Sequence, residues 1–137
     1  MLWIRSFYFW GVNLILISLT HILQIQRIIS NYDNFQCVEA AIFIQEYLIS
    51  QGIKGKRIKI YTGTAMGWDA NIYDDLLGCA ISVNGRHEGI AIIINGVEIV
   101  YDNLHPEGLT KEQWLNNLQF DSKLYLGKEF EITEERF

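Results

Sequence analysis

The stretch GIAIIINGVEIVY, residues 89–101, carries the strongest structural signal in the chain. Two apolar runs flank the dipeptide Asn95-Gly96, which strongly favours a two-residue type I′ turn because both residues tolerate a positive φ. The stretch therefore predicts a β-hairpin in which Ile94 faces Val97. Because side chains alternate between the two faces of a strand, this register also fixes which residues share a face.

The open end of this hairpin is expected to bring a histidine and an acidic residue together. Extending the register places Asp102 almost opposite Gly89, one diagonal step from His87, and diagonal cross-strand neighbours can reach each other. Asn103 competes for the same contact. An imidazole held in one tautomer by a third group, with its other nitrogen facing a thiol, is an arrangement that activates a nucleophile. We therefore predict that His87 is a base oriented by Asp102, with Asn103 as the alternative.

A helix predicted over residues 36–50 supplies the candidate nucleophile. Cys37 lies in its first turn, where the positive end of the helix dipole favours the thiolate. Gln36 precedes it and is interpreted either as an oxyanion donor through its side-chain amide or as a helix cap. Gly52 is expected to end the helix at the C′ position. The second cysteine, Cys79, lies in an apolar strand and is expected to be part of the core.

The remaining patterns complete an outline of the fold. We predict a helix over residues 23–30, strands over 57–62 and 79–83, a loop over 63–75, a helix from Thr110 to about Leu118 with Trp114 on its inner face, and an edge strand over 130–133. His105, Pro106 and Gly108 are interpreted as a loop shaped by the backbone, with substrate contact as the alternative. This order of elements predicts an α+β fold in which N-terminal helices pack on a small antiparallel sheet.

Composition excludes several classes of function. The chain has 137 residues, half of them hydrophobic, which suits one globular domain. Its net charge is −5 and no basic stripe accompanies the aromatic residues, so nucleic acid is not an expected partner. The spacing of the two cysteines and the histidines matches no zinc motif. We therefore expect no metal and no cofactor.

The first 20 residues differ from the rest and are treated as a separate segment, with the main domain over 21–137. No residue between Arg5 and Arg27 carries a fixed charge, and residues 7–19 are strongly apolar. That length approaches the ~20 residues needed to span a bilayer as a helix. The alternatives are a membrane anchor, a signal sequence with Arg5 as its charged end, and a mis-assigned start.

Three motifs together identify a family. The segments FQCVEAA at 35–41, NGRHEGI at 84–90 and VYDNLHPEG at 100–108 contain the candidate nucleophile, base and orienting residue in that order. From about residue 22 to the end, the chain resembles the second papain-fold toxin family, cysteine-peptidase-like domains of bacterial polymorphic toxin systems. The resemblance implies a papain-like cysteine peptidase fold and a site made of Cys37, His87 and either Asp102 or Asn103.

The resemblance also implies a function. It implies an effector that performs acyl transfer on a protein or peptide substrate as a peptidase, a deamidase or a transglutaminase-like enzyme, with an immunity protein as a further candidate partner. The alternative is a catalytically idle binding module on the same scaffold. A third interpretation, a membrane-tethered regulator, depends on residues 7–19. The location is left open between the bacterial cytoplasm, the membrane and the exterior.

Overall fold

The computed structural model describes residues 6–9 and 12–137. The elements in chain order are β1 (Ser6–Phe9), β2 (Val12–Ile15), α1 (Leu19–Ile29), α2 (Cys37–Ser50), β3 (Lys56–Tyr61), a 3₁₀ turn (Trp68–Ala70), β4 (Ile72–Asp74), β5 (Cys79–Ser82), β6 (Arg86–Ile94), β7 (Val97–Tyr101), β8 (Leu109–Thr110), α3 (Lys111–Asn117), β9 (Leu118–Gln119), α4 (Asp121–Leu126) and β10 (Glu131–Arg136).

Antiparallel sheets organise these elements. The main sheet has five strands in the order β10-β3-β6-β7-β8, and a smaller sheet has three in the order β5-β4-β9. Strands β1 and β2 form a separate two-stranded sheet. The long strand β6 therefore lies at the centre of the main sheet, and its first residues, which include His87, reach one end of that sheet.

Strand β6 is buried on both faces, which explains its nearly continuous apolar sequence. On one face, Ile90 and Ile92 pack in a cluster with residues of α1 and α2 such as Ile25 and Ile44. On the other face, Ala91 packs in a second cluster that includes Trp114 of α3. The predicted α+β class, with N-terminal helices packed on an antiparallel sheet, is confirmed.

The hairpin that dominates the sequence forms in the predicted register. Asn95 and Gly96 have φ values of 50° and 80°, and Ile94 pairs with Val97. Strand β7 ends at Tyr101, so the hairpin ladder stops before it reaches His87. On the opposite edge of β6, the backbone of His87 pairs with Ile60 of β3. Asp102 is thus the first residue beyond β7, close to the predicted diagonal position.

Helices α2 and α3 begin and end close to the predicted residues. Gly52 follows α2 with a φ of 70°, and the N–H of Ile53 donates to the carbonyl of Leu48 at 2.9 Å, which closes the helix. Thr110 and Gln113 form the capping box at the start of α3, and Trp114 is fully buried. Helix α1 begins at Leu19, four residues before the predicted start at residue 23.

Two local predictions are wrong. The segment 63–75, predicted as a loop, contains the 3₁₀ turn and strand β4. The strand is not evident from hydrophobicity because a polar residue, Asp74, is buried beside Ile72, whereas the aromatic Tyr73 between them is exposed. Cys79, predicted to lie in the core, is exposed. It is the first residue of β5, an outer strand of the small sheet, where burial begins only at Ile81.

The apolar N-terminal segment contributes two strands and the start of α1. Strands β1 and β2 pair antiparallel, Ser6 with Ile15 and Phe9 with Val12. Arg5, proposed as the charged end of a signal sequence, lies outside the described residues. No helix within residues 6–9 and 12–137 is long and apolar enough to cross a bilayer.

Gly89 is expected to be intolerant of substitution because it lies where β6 and β7 approach α3. A Cβ at this position would lie 2.8 Å from Val100 Cγ1 and 3.0 Å from the carbonyl oxygen of Tyr101. The second contact is with backbone, which cannot rotate away. We expect Gly89→Ala to destabilise the protein by about 1–3 kcal/mol, as overpacked cores are. Chemical denaturation measures this, and an unchanged midpoint would contradict the packing described.

Candidate active site

The loop before α2 is held in place from several sides. The side chain of Asn34 donates from Nδ2 to the carbonyl of Ala80 at 2.9 Å, which ties the loop to β5. Phe35 has a φ of 68°, a region that bulky residues rarely occupy. Cys37 follows as the first residue of α2, half-buried and not in a disulfide. The position of this thiol is therefore determined by tertiary contacts as well as by its helix.

The two residues predicted as oxyanion or orienting candidates both support this loop. Gln36 accepts at Oε1 from the backbone N–H of Asp33 at 2.7 Å, and Asn103 donates from Nδ2 to the carbonyl of Asp33 at 2.8 Å. Asn103 is thus engaged with the backbone before α2. It is Asp102, the other orienting candidate, that contacts the ring of His87.

His87 and Asp102 form a buried pair. Nε2 of His87 lies 2.8 Å from Oδ2 of Asp102, and both side chains are almost completely inaccessible to solvent. The other ring nitrogen, Nδ1, is buried and makes no hydrogen bond within the described part of the chain. Trp114 packs beside the ring, with centroids 5.8 Å apart. The imidazole is therefore fixed at one nitrogen and unengaged at the other.

Asp102 accepts four hydrogen bonds. Oδ2 accepts from His87 and from Nε1 of Trp114 at 2.8 Å, and Oδ1 accepts from the N–H of Leu104 at 2.9 Å and from Nδ1 of His105 at 2.7 Å. Burial raises the pKa of Asp102, but the hydrogen bonds and charges of His105 and His87 outweigh it and hold the pKa far below its usual range. Asp102 is therefore a buried carboxylate.

His87 is correspondingly basic. Burial lowers its pKa, but the hydrogen bond and charge of Asp102, together with the proximity of Cys37, outweigh burial and raise the pKa of His87 to about 10. The imidazole therefore holds a proton at neutral pH beside the Asp102 carboxylate. Cys37 and His87 line the same cleft.

A cleft gives access to the cysteine and the histidine. Its volume is about 340 Å³, and it is lined by Phe35, Cys37, Val38, Ile81, Ser82, Val83, Asn84, Arg86, His87 and Glu88. Glu88 is buried and paired with Arg57, so its charge is compensated. A larger cleft of about 510 Å³, beside Ile92 and Phe137, is lined by neither cysteine nor histidine. The cleft at Cys37 thus contains both the candidate nucleophile and the candidate base.

Sequence reasoning missed the contacts that two residues, Trp114 and His105, make with Asp102. Trp114 is predicted to be an inner-face residue, and its indole N–H also contacts Asp102. His105, interpreted as a loop residue with substrate contact as the alternative, is buried between Asp102 and Asp74. The sequence could have indicated the contact between Asp102 and His105, because they are three residues apart. It could not have indicated the contact of His105 with Asp74, which depends on the pairing of β4 in the small sheet. Among the residues described, no group of His, Cys, Asp or Glu side chains is arranged to hold a metal ion.

The basic His87 and the acidic Asp102 predict a particular dependence of stability on pH. The pKa of His87 rises from 6.5 to about 10 on folding, so its stabilisation is complete below pH 6.5 and is lost as pH rises through 10. The pKa of Asp102 is lowered, so its stabilisation is present above pH 3.8 and is lost in acid. Through His87, the free energy of unfolding should therefore fall between pH 6.5 and 10, by up to about 1.4 kcal/mol per pH unit. His105, whose pKa is also raised, should add to the loss above pH 6.5.

Urea denaturation at a series of pH values tests this expectation. His87→Gln should make the decline on the alkaline side shallower, whereas His21→Gln, a substitution in the capping box of α1, should leave it unchanged. A wild-type stability that stays constant from pH 7 to 9 would contradict the assignment of a raised pKa to His87.

Comparison with known proteins agrees with the fold and with the motifs. The family model described as papain fold toxin 2 matches residues 20–119, well over half of the chain. The chain belongs to this papain-fold toxin family, as the three sequence motifs predicted. Neither the curated proteins nor the solved structures contained a match.

Proposed function

We propose that this toxin domain is a thiol enzyme that transfers the acyl group of an amide in a protein substrate. The observation that carries the proposal is the buried pair of His87 and Asp102, together with a cleft that both His87 and Cys37 line. Cys37 is the nucleophile, His87 exchanges the proton and Asp102 orients the ring. Family membership supports the choice of a protein target and makes an immunity protein a candidate partner.

The reaction follows from these positions. The Cys37 thiolate attacks the amide carbonyl while the proton resides on Nδ1 of His87, the nitrogen not engaged by Asp102. As the tetrahedral intermediate collapses, the imidazolium gives this proton to the leaving nitrogen and a thioester remains on Cys37. His87 then takes a proton from water, for a hydrolase or deamidase, or from an amine, for a transferase. The incoming oxygen or nitrogen attacks the thioester carbonyl and displaces Cys37 as a thiolate, which restores the thiolate and the protonated imidazole.

The start of α2 provides the developing oxyanion with donors. Helices α1 and α3 carry capping boxes, whereas Gln36 at the start of α2 makes no capping hydrogen bond through its side chain. The first backbone N–H groups of a helix have no partner inside it. At α2 they remain available beside Cys37, where they would stabilise negative charge on the carbonyl oxygen.

A proteome-wide modification assay tests this proposal on many candidate substrates at once. A bacterial lysate is incubated with the wild-type protein or with His87→Ala, and mass spectrometry compares three products: new N-termini, glutamine converted to glutamate, and lysine–glutamine cross-links. We expect one class to appear only with the wild type, and the class that appears distinguishes peptidase, deamidase and transglutaminase. If all three are absent, the proposal is wrong and the idle binding module gains support.

A further inference from the structure

A second histidine lies on the far side of Asp102 from His87. Nδ1 of His105 is 2.7 Å from Oδ1 of Asp102, and Nε2 of the same ring is 2.8 Å from Oδ2 of Asp74. The side chain of Asp74 is completely buried and that of His105 nearly so. The four side chains therefore form a continuous buried row in the order Asp74, His105, Asp102, His87.

The contacts around His105 bear on its protonation state. Oδ1 of Asp74 accepts from the N–H of Leu77 at 3.0 Å, so Oδ2 is the oxygen that faces His105. A ring nitrogen without a proton presents a lone pair, and an ionised carboxylate is only an acceptor. Nε2 of His105 and Oδ2 of Asp74 are 2.8 Å apart, an ion-pair distance, although within the described residues neither atom has a partner that meets full hydrogen-bond geometry. A proton on Nε2 makes this contact attractive, whereas its absence would leave two buried acceptors facing each other. The contact with Asp102 requires a proton at Nδ1 as well.

We propose that His105, held by Asp74, is a doubly protonated positioning residue that fixes Asp102 for its contact with His87. The proposal rests on the function proposed above, and it adds a positively charged imidazolium, that of His105, to the site. By engaging Oδ1, His105 prevents the carboxylate from rotating, so that Oδ2 stays aligned with Nε2 of His87. Its charge also compensates one of two carboxylates that are buried close together.

The surroundings of His105 support this protonation state. The charged groups that act on it are Asp102, Asp74 and His87. Burial and the charge of His87 lower the pKa of His105, but the hydrogen bond and charge of Asp102, with the charge of Asp74, raise it overall. The two carboxylates thus stabilise the imidazolium in a place from which water is excluded.

The first test uses the wild-type protein and needs no activity. Ring ¹⁵N chemical shifts, with assignments from His→Gln variants, distinguish a doubly protonated imidazole from either neutral tautomer. We expect both nitrogens of His105 to show protonated shifts from pH 6 to 8. Either neutral tautomer in this range would overturn the proposal.

The second test separates positioning from simple support of the fold. His105→Gln keeps an N–H donor of similar reach and removes the charge. We expect kcat to fall about 10- to 100-fold with little change in KM, the scale of loss when a group that orients a metal-bound histidine is removed. The downfield Nε2–H resonance of His87, which reports its hydrogen bond to Asp102, should move as well.

His21→Gln is the matched control, because Gln also completes a capping box, as Gln113 does in α3. It should change neither kcat nor the His87 resonance. If His105→Gln folds and leaves both readouts at wild-type values, the proposal is wrong. If the wild type has no activity but His105 shows two protonated nitrogens and His105→Gln moves the His87 resonance, the proposed function fails while the positioning of Asp102 by His105 stands.

Discussion

Replacing Cys37 with alanine should abolish the modification of protein substrates, with a loss of about 10⁴-fold or more, the scale expected when a nucleophile of a catalytic triad is removed. The reason is that no other thiol lines the cleft that contains His87. The fold should remain intact because the thiol of Cys37 is only half-buried and makes no disulfide. We expect the free energy of unfolding to change by less than about 1 kcal/mol.

Cys79 offers a matched control for this experiment. Its thiol is exposed, lies on β5 and is not part of the cleft lining. Cys79→Ala should therefore retain full activity. Quantitative mass spectrometry of the modified substrates measures both variants under the same conditions. Wild-type turnover by a folded Cys37→Ala protein would remove Cys37 from the mechanism.

Asp102→Asn is expected to damage both activity and stability. An amide offers only one acceptor oxygen, and its NH₂ group would face two of the four donors that now surround Asp102. The unpaired buried groups, including protonated His87, should cost about 3–5 kcal/mol in the free energy of unfolding. Activity should fall by about 10⁴-fold, the loss known when the aspartate of a serine-protease triad becomes asparagine.

Urea denaturation and substrate turnover, measured below the unfolding midpoint, separate the two effects. Asp75→Asn is the control, because this neighbour of Asp74 is exposed and accepts a single hydrogen bond from Gln119, which an amide oxygen can replace. It should leave stability and turnover close to wild type. A folded Asp102→Asn protein with wild-type turnover would show that the orientation of His87 does not depend on the carboxylate.

Local sequence signals are sufficient to predict the hairpin and the helix that position the candidate site residues. Asn95-Gly96 determines the hairpin because the turn conformation follows from these two residues alone, and the register then places Asp102 near His87. Helix α2 is predictable for a similar reason, since Gly52 ends it where a left-handed residue is required. Each of these inferences needs only contacts between residues close in the chain.

Features that depend on distant partners are not predictable from the pattern. Strand β4 has three residues, and its pairing with β5 and β9 is set by tertiary packing. Without that sheet, nothing indicates that Asp74 lies beside His105. The exposure of Cys79 has the same origin, because an apolar run does not reveal which of its residues begins an outer strand.

The rate at which a small electrophile modifies Cys37 tests the central claim most directly. Iodoacetamide labelling near neutral pH, followed by peptide mass spectrometry, gives separate rates for Cys37 and for the exposed Cys79 in the same sample. Partnership with protonated His87 predicts that Cys37 reacts much faster than Cys79 and that His87→Ala removes the difference. Equal, slow labelling of both thiols in the wild-type protein would contradict the account.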